Sequence, residues 1–107
     1  MPYDEDLAAR LRMSLSGRAG VVEKKMFGGL TFMLNDRMCC GVVKEDLVFR
    51  VGPDGYQEVL KLPGARPMDF TGRPMKGMVY VSRAGIASEK DLAAWVQRAV
   101  KFADSLN

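Results

Sequence analysis

Residues 24–42 read Lys24-Lys25-Met26-Phe27-Gly28-Gly29-Leu30-Thr31-Phe32-Met33-Leu34-Asn35-Asp36-Arg37-Met38-Cys39-Cys40-Gly41-Val42. Two apolar runs flank the polar turn Asn35-Asp36-Arg37, which is the pattern of an antiparallel hairpin. Side-chain alternation puts Leu30, Phe32 and Leu34 on one side of the second strand. The pair Gly28-Gly29 predicts a bulge or sharp bend, because glycine inside a strand pattern marks irregular backbone. A sheet bent there can wrap a helix.

Working outward, the same alternation predicts strands at 21–27, 30–35, 38–43 and 47–51, with Lys44-Glu45-Asp46 as a second short polar connection. In the fourth strand Leu47, Phe49 and Val51 share a side and Arg50 faces the other way. Upstream, Asp4 can cap a helix over 4–16 whose apolar positions Leu7, Ala8, Leu11 and Leu15 form one stripe, with Gly17 ending it. Downstream, Gly52-Pro53-Asp54-Gly55 reads as a turn, and Asp54 opens a short helix through Tyr56, Val59 and Leu60 that Pro63-Gly64 stops. Residues 64–74 read as a loop, and 76–82 as a strand with Val79 and Val81 on one side and Met78 and Tyr80 on the other. Ser88 and Asp91 make a capping-box-like start to a final helix, whose face is Leu92, Trp95, Val96, Ala99, Val100, Ala103 and Leu106.

This order predicts a two-layer α+β domain spanning 1–107, an antiparallel sheet of about five strands packed with N- and C-terminal helices. Several strands are apolar on both sides, with Met33, Cys39, Val43 and Val48 opposite Phe32 and Phe49. If the helices cover only one side, the other must meet a partner, and a homodimer is the simplest expectation. The alternative is that the two long helices cover opposite sides.

Composition narrows the chemistry. The 107 residues are 48% hydrophobic and 27% charged, ordinary for one globular domain, and no apolar run approaches the roughly 20 residues of a membrane span. The acidic start Asp4-Glu5-Asp6 is unlike a secretory signal, so a cytoplasmic location is expected. Histidine is absent, which excludes Ser-His-Asp and Cys-His catalysis and any histidine-bearing zinc site. The two cysteines, Cys39 and Cys40, are neighbours on a strand, so they should face opposite ways and stay as free thiols. No catalytic residue, metal or cofactor is expected.

The net charge of +3 is concentrated, with +4 between residues 61 and 83, where Asp69 alone opposes Lys61, Arg66, Arg73, Lys76 and Arg83. With Lys24 and Lys25, the residues Arg66, Arg73, Lys76 and Arg83 are the candidate contacts for an anion or a partner. No aromatic RNA-binding pattern, zinc finger or arginine-rich arm accompanies them.

Taken together, the block Lys24 to Met33, the run Met38-Cys39-Cys40-Gly41-Val42, the run Leu47-Val48-Phe49-Arg50-Val51, the block Gly72-Arg73-Pro74-Met75-Lys76-Gly77-Met78-Val79-Tyr80-Val81 and the helix at Leu92-Ala93-Ala94-Trp95-Val96 resemble the N-terminal domain of the TfoX (Sxy) competence-regulator family. The motif positions are Met26, Phe27, Gly28, Gly29, Gly41, Pro74, Met75, Lys76, Gly77 and Trp95. The chain departs from the pattern at Pro67-Met68, where the family has Pro-Phe. The resemblance implies a secretion-chaperone-like two-layer fold and a role in regulation or protein interaction rather than catalysis. Better-known members regulate genes for natural transformation and carry a second domain; this chain reads as a single-domain member. Two further readings stand beside an interaction module. One is a nucleic-acid accessory protein using the basic residues, and the other a small-molecule binder or enzyme with a pocket near Gly28-Gly29 and Lys76.

Overall fold

Asp4 begins the first helix by accepting hydrogen bonds from the N–H groups of Asp6 and Leu7 at 2.8 and 3.2 Å, satisfying donors that the helix itself leaves unpaired. In the computed structural model, which describes residues 3–26, 28–68 and 77–106, this helix is α1, Glu5–Leu15, and it buries the stripe Leu7, Ala8, Leu11 and Leu15. The strands that follow are β1 Val21–Met26, β2 Gly29–Leu34, β3 Arg37–Val43 and β4 Asp46–Arg50. After them come the short helix α2, Tyr56–Val59, the strands β5 Ala65–Pro67 and β6 Met78–Val81, and a 3₁₀ turn at Arg83–Ile86. The final helix α3, Glu89–Ser105, starts at Ser88, whose hydroxyl accepts from the Asp91 N–H at 3.0 Å.

The strands form one antiparallel sheet in the order β1-β2-β3-β4-β6-β5. Among the described residues it has six strands rather than about five, because Ala65–Pro67, expected to lie in a loop, pairs with Val79–Val81. Pro67 has no N–H to offer a neighbour, and a strand containing it belongs at an edge, where β5 sits. Gly28-Gly29 is a hairpin reversal rather than a bend within a strand. Met26 pairs with Gly29, and Gly28 has φ +74°. Asn35 and Asp36 both have positive φ, as the mirror-image turns that suit strand twist require. Asp54 does not cap α2; Gly55 occupies that position without a side-chain bond.

The break in the sheet falls elsewhere. Phe32 pairs with Cys40 but Met33 with Met38, so Cys39 is an extra residue in β3 and the side-chain alternation slips by one. Both cysteines therefore enter the same core as Phe32, Phe49 and Trp95, against the expectation that they face opposite ways. Cys39 leaves the side it was assigned with Val43 and Val48. Both thiols are free and enclosed, and the hydrogen bond to Cys39, together with burial, pushes the Cys40 thiol well above its ordinary value. The same bond lowers the Cys39 thiol instead, but both side chains are enclosed, so a disulfide reagent at neutral pH should titrate neither thiol in the folded protein and both after denaturation. Rapid native labelling would contradict this packing.

Both long helices lie on one side of the sheet. Their apolar stripes share a single core with Leu30, Phe32, Leu34, Val42, Leu47, Phe49, Val79 and Val81, and α1 and α3 touch each other. Three arginine contacts hold this layer down. Arg12 donates from Nε and Nη2 to both carboxylate oxygens of Glu23 at 2.7 and 2.8 Å, and Arg18 pairs with Asp104 at 3.1 Å. Arg10 pairs with Glu89 at 3.1 Å and donates to the Ile86 carbonyl at 2.8 Å.

Candidate interaction surface

With the helices on one side, the register assigns the residues of the other. Val22 and Lys24 on β1 face the same way as Met33 and Thr31 on β2, and that side continues through Gly41 and Val43 to Val48, Tyr80 and Arg66. Its centre is filled. Val48, Met68 and Met78 form a second apolar cluster in which Val48 is 1% and Met68 0% exposed. Met38, Val43 and Tyr80 pack around that cluster and are half-buried, as is Met33. Methionine is unbranched and polarizable, so it can mould itself to varied apolar partners. Four methionines, Met33, Met38, Met68 and Met78, converge here from positions spread over 46 residues of sequence.

The basic candidates do not form one patch. Lys24 and Lys25 lie on β1 and Arg66 on β5, at opposite edges of the sheet, about 24 Å apart at ordinary strand spacing. Arg66 makes an ion pair with Asp46 at 2.6 Å and lies over the Tyr80 ring at 4.8 Å. Arg83 pairs with Asp4, the cap of α1. Asp69 is the only acid near these residues in sequence, yet folding supplies Asp46 and Asp4 as partners. Arg73 and Lys76, with Phe27, Pro74 and Met75, lie outside the described residues. Two cavities open elsewhere. One of about 530 Å³ lies at Tyr3, Asp4 and residues 44–46. A groove of about 490 Å³ runs between α2 and α3, past Val59, Arg98, Lys101 and Phe102. Gly28 and Gly29 line neither.

The other motif positions have packing reasons. At Gly29 a Cβ would sit 2.1 Å from the Val42 carbonyl oxygen, and at Gly41 it would sit 2.6 Å from that of Leu30. Strands β2 and β3 approach too closely there for side chains. Gly77 has φ +92°, and its carbonyl accepts from the N–H groups of Val51 and Gly52 at 2.8 and 3.1 Å, closing the end of β4. Trp95 is buried on α3 with its ring stacked on Phe49 at 5.4 Å. Met26 ends β1. The described motif positions Gly29, Gly41, Gly77 and Trp95 thus serve backbone geometry and core packing. Sequence reading missed the ion pairs that tie α1 down, since Arg10 and Glu89 are 79 residues apart and no local pattern announces them.

These features define an α+β protein with one sheet side committed to its own helices and the other carrying a smaller apolar cluster rimmed by the half-buried Met33, Met38, Val43 and Tyr80. Among the described residues no helix is long and apolar enough to cross a membrane. The chain belongs to the TfoX N-terminal domain family, whose model matches residues 13–103. No curated protein and no solved structure matches it.

Proposed function

We propose that this chain is a non-catalytic regulatory module of the cytoplasm, of the competence-regulator type, which acts by binding protein. Its contact surface is the sheet side that lacks helices. The observation that carries this reading is the placement of α1 and α3 together on one side, which leaves Met33, Met38, Val43 and Tyr80 half-exposed on the other. A second copy of the chain is the partner this surface suits. The residues of this side that stay partly exposed, Met33, Met38, Val43 and Tyr80, carry no charge, so a twofold-related copy can lie against them without apposing like charges.

Sedimentation velocity over a rising concentration series tests the proposal. A monomer–dimer equilibrium is expected, and the double variant Met38→Lys/Val43→Lys should remain folded and monomeric. A wild-type protein that stays monomeric throughout overturns the dimer.

A further inference from the structure

Among the described residues, strand β1 is the longer edge of the sheet. The opposite edge, β5, has three residues and is blunted by Pro67, whereas β1 runs over the six residues Val21–Met26. Every second residue of an edge strand turns its N–H and C=O outward, ready for another strand. The side chains of β1 are open as well, with Val22 51% exposed and Glu23, Lys24 and Lys25 all exposed.

The charges on this edge are selective. Glu23 is neutralised by the two hydrogen bonds from Arg12, whose guanidinium holds its carboxyl below the usual glutamate range. Lys24 and Lys25 remain as cations, one on each side of the sheet. Suppose a second copy added itself across a twofold axis normal to the sheet. Such a register is centred on a residue that meets its own image: centring at 24 or 25 brings lysine against lysine, and centring at 23 sets Lys24 and Lys25 opposite valines, so none of these gives both lysines an acidic partner. Lysine on an edge strand is a recognised guard against self-pairing. A foreign strand with carboxylates opposite both lysines and apolar side chains opposite Val21 and Val22 meets none of that repulsion.

We infer that β1 is a docking edge for an extended acidic segment of a partner protein, added as a seventh, antiparallel strand. The inference goes beyond the dimer reading above, sharing with it only the premise that the chain acts by binding protein, and it uses a different surface. Main-chain bonds supply affinity, while Lys24 and Lys25 set register and reject a second copy.

The test uses the whole chain, isotopically labelled for amide detection, and a synthetic peptide of about eight residues carrying two adjacent glutamates, then threonine, then two valines. Binding should slow amide exchange in β1 by roughly tenfold or more at saturation and weaken as salt rises. The exposed double variant Lys24→Glu/Lys25→Glu should bind at least about tenfold more weakly, and a peptide with lysines in place of glutamates should not bind wild type. Unchanged β1 exchange, equal binding by the charge-reversed variant, or β1 protection that grows with protein concentration alone would overturn the inference. Each of these is separable from the dimer test, because the Met38→Lys/Val43→Lys variant leaves β1 intact.

Discussion

Replacing Trp95 with alanine is expected to remove about 3–5 kcal/mol of stability, the usual range for deleting a large buried aromatic. Domains of this size are stable by about 5–15 kcal/mol, so this one change takes a large share. The side chain is 2% exposed on the inner face of α3, and its ring meets Phe49 at 5.4 Å with the planes 21° apart. Phe49 sits on β4 between Cys40 of β3 and Val79 of β6, so the cavity opens where the helix layer meets the middle of the sheet. Denaturant titration followed by far-ultraviolet circular dichroism measures the loss. Trp95→Phe, which keeps an aromatic ring against Phe49, should lose less than half as much. Arg98→Ala leaves the indole in place and removes the side chain whose guanidinium lies 5.0 Å over it, and should cost about 0.5–1 kcal/mol. Equal losses for the three variants would mean that Trp95 is not the anchor of α3.

The second large effect belongs to Gly29→Ala. A methyl group there would sit 2.1 Å from the Val42 carbonyl oxygen and 3.0 Å from a Val43 methyl. The first obstacle is backbone, which cannot rotate away as a side-chain tip can. The strands must separate, at a cost of about 1–3 kcal/mol or more. Gly55→Ala is the matched control. It has φ −95° and open space around the added carbon, so its stability should stay within about 0.5 kcal/mol of wild type. Trp95 is the only tryptophan, and its fluorescence reports both unfolding curves. A Gly29→Ala protein as stable as the Gly55→Ala control would show that β2 and β3 do not approach as closely as described.

Much of this architecture was legible locally. The Asp4 and Ser88 caps, the three-and-four spacing of both long helices, the turn at Asn35-Asp36 and the alternation of β2, β4 and β6 all depend on neighbours within a few residues. Their boundaries shifted by only a residue or two. The short strand at Ala65–Pro67 was not legible, because three residues with an alanine and a proline have no strand pattern of their own and are held by pairing with β6. Nor was the slip at Cys39. A bulge is a property of two strands in register, and neither strand alone declares it.

By itself, then, the order of residues determined the helices, the hairpins, the fold class and the family, since periodicity and turn chemistry act over short range. The absence of histidine likewise set which catalytic chemistries are closed to the chain. Tertiary structure alone decided that both helices share one side, that adjacent thiols enter one core, and that the basic residues part company to meet Asp4 and Asp46. Those outcomes depend on which distant surfaces meet when apolar area is buried, and no short window of sequence contains both halves of such a contact.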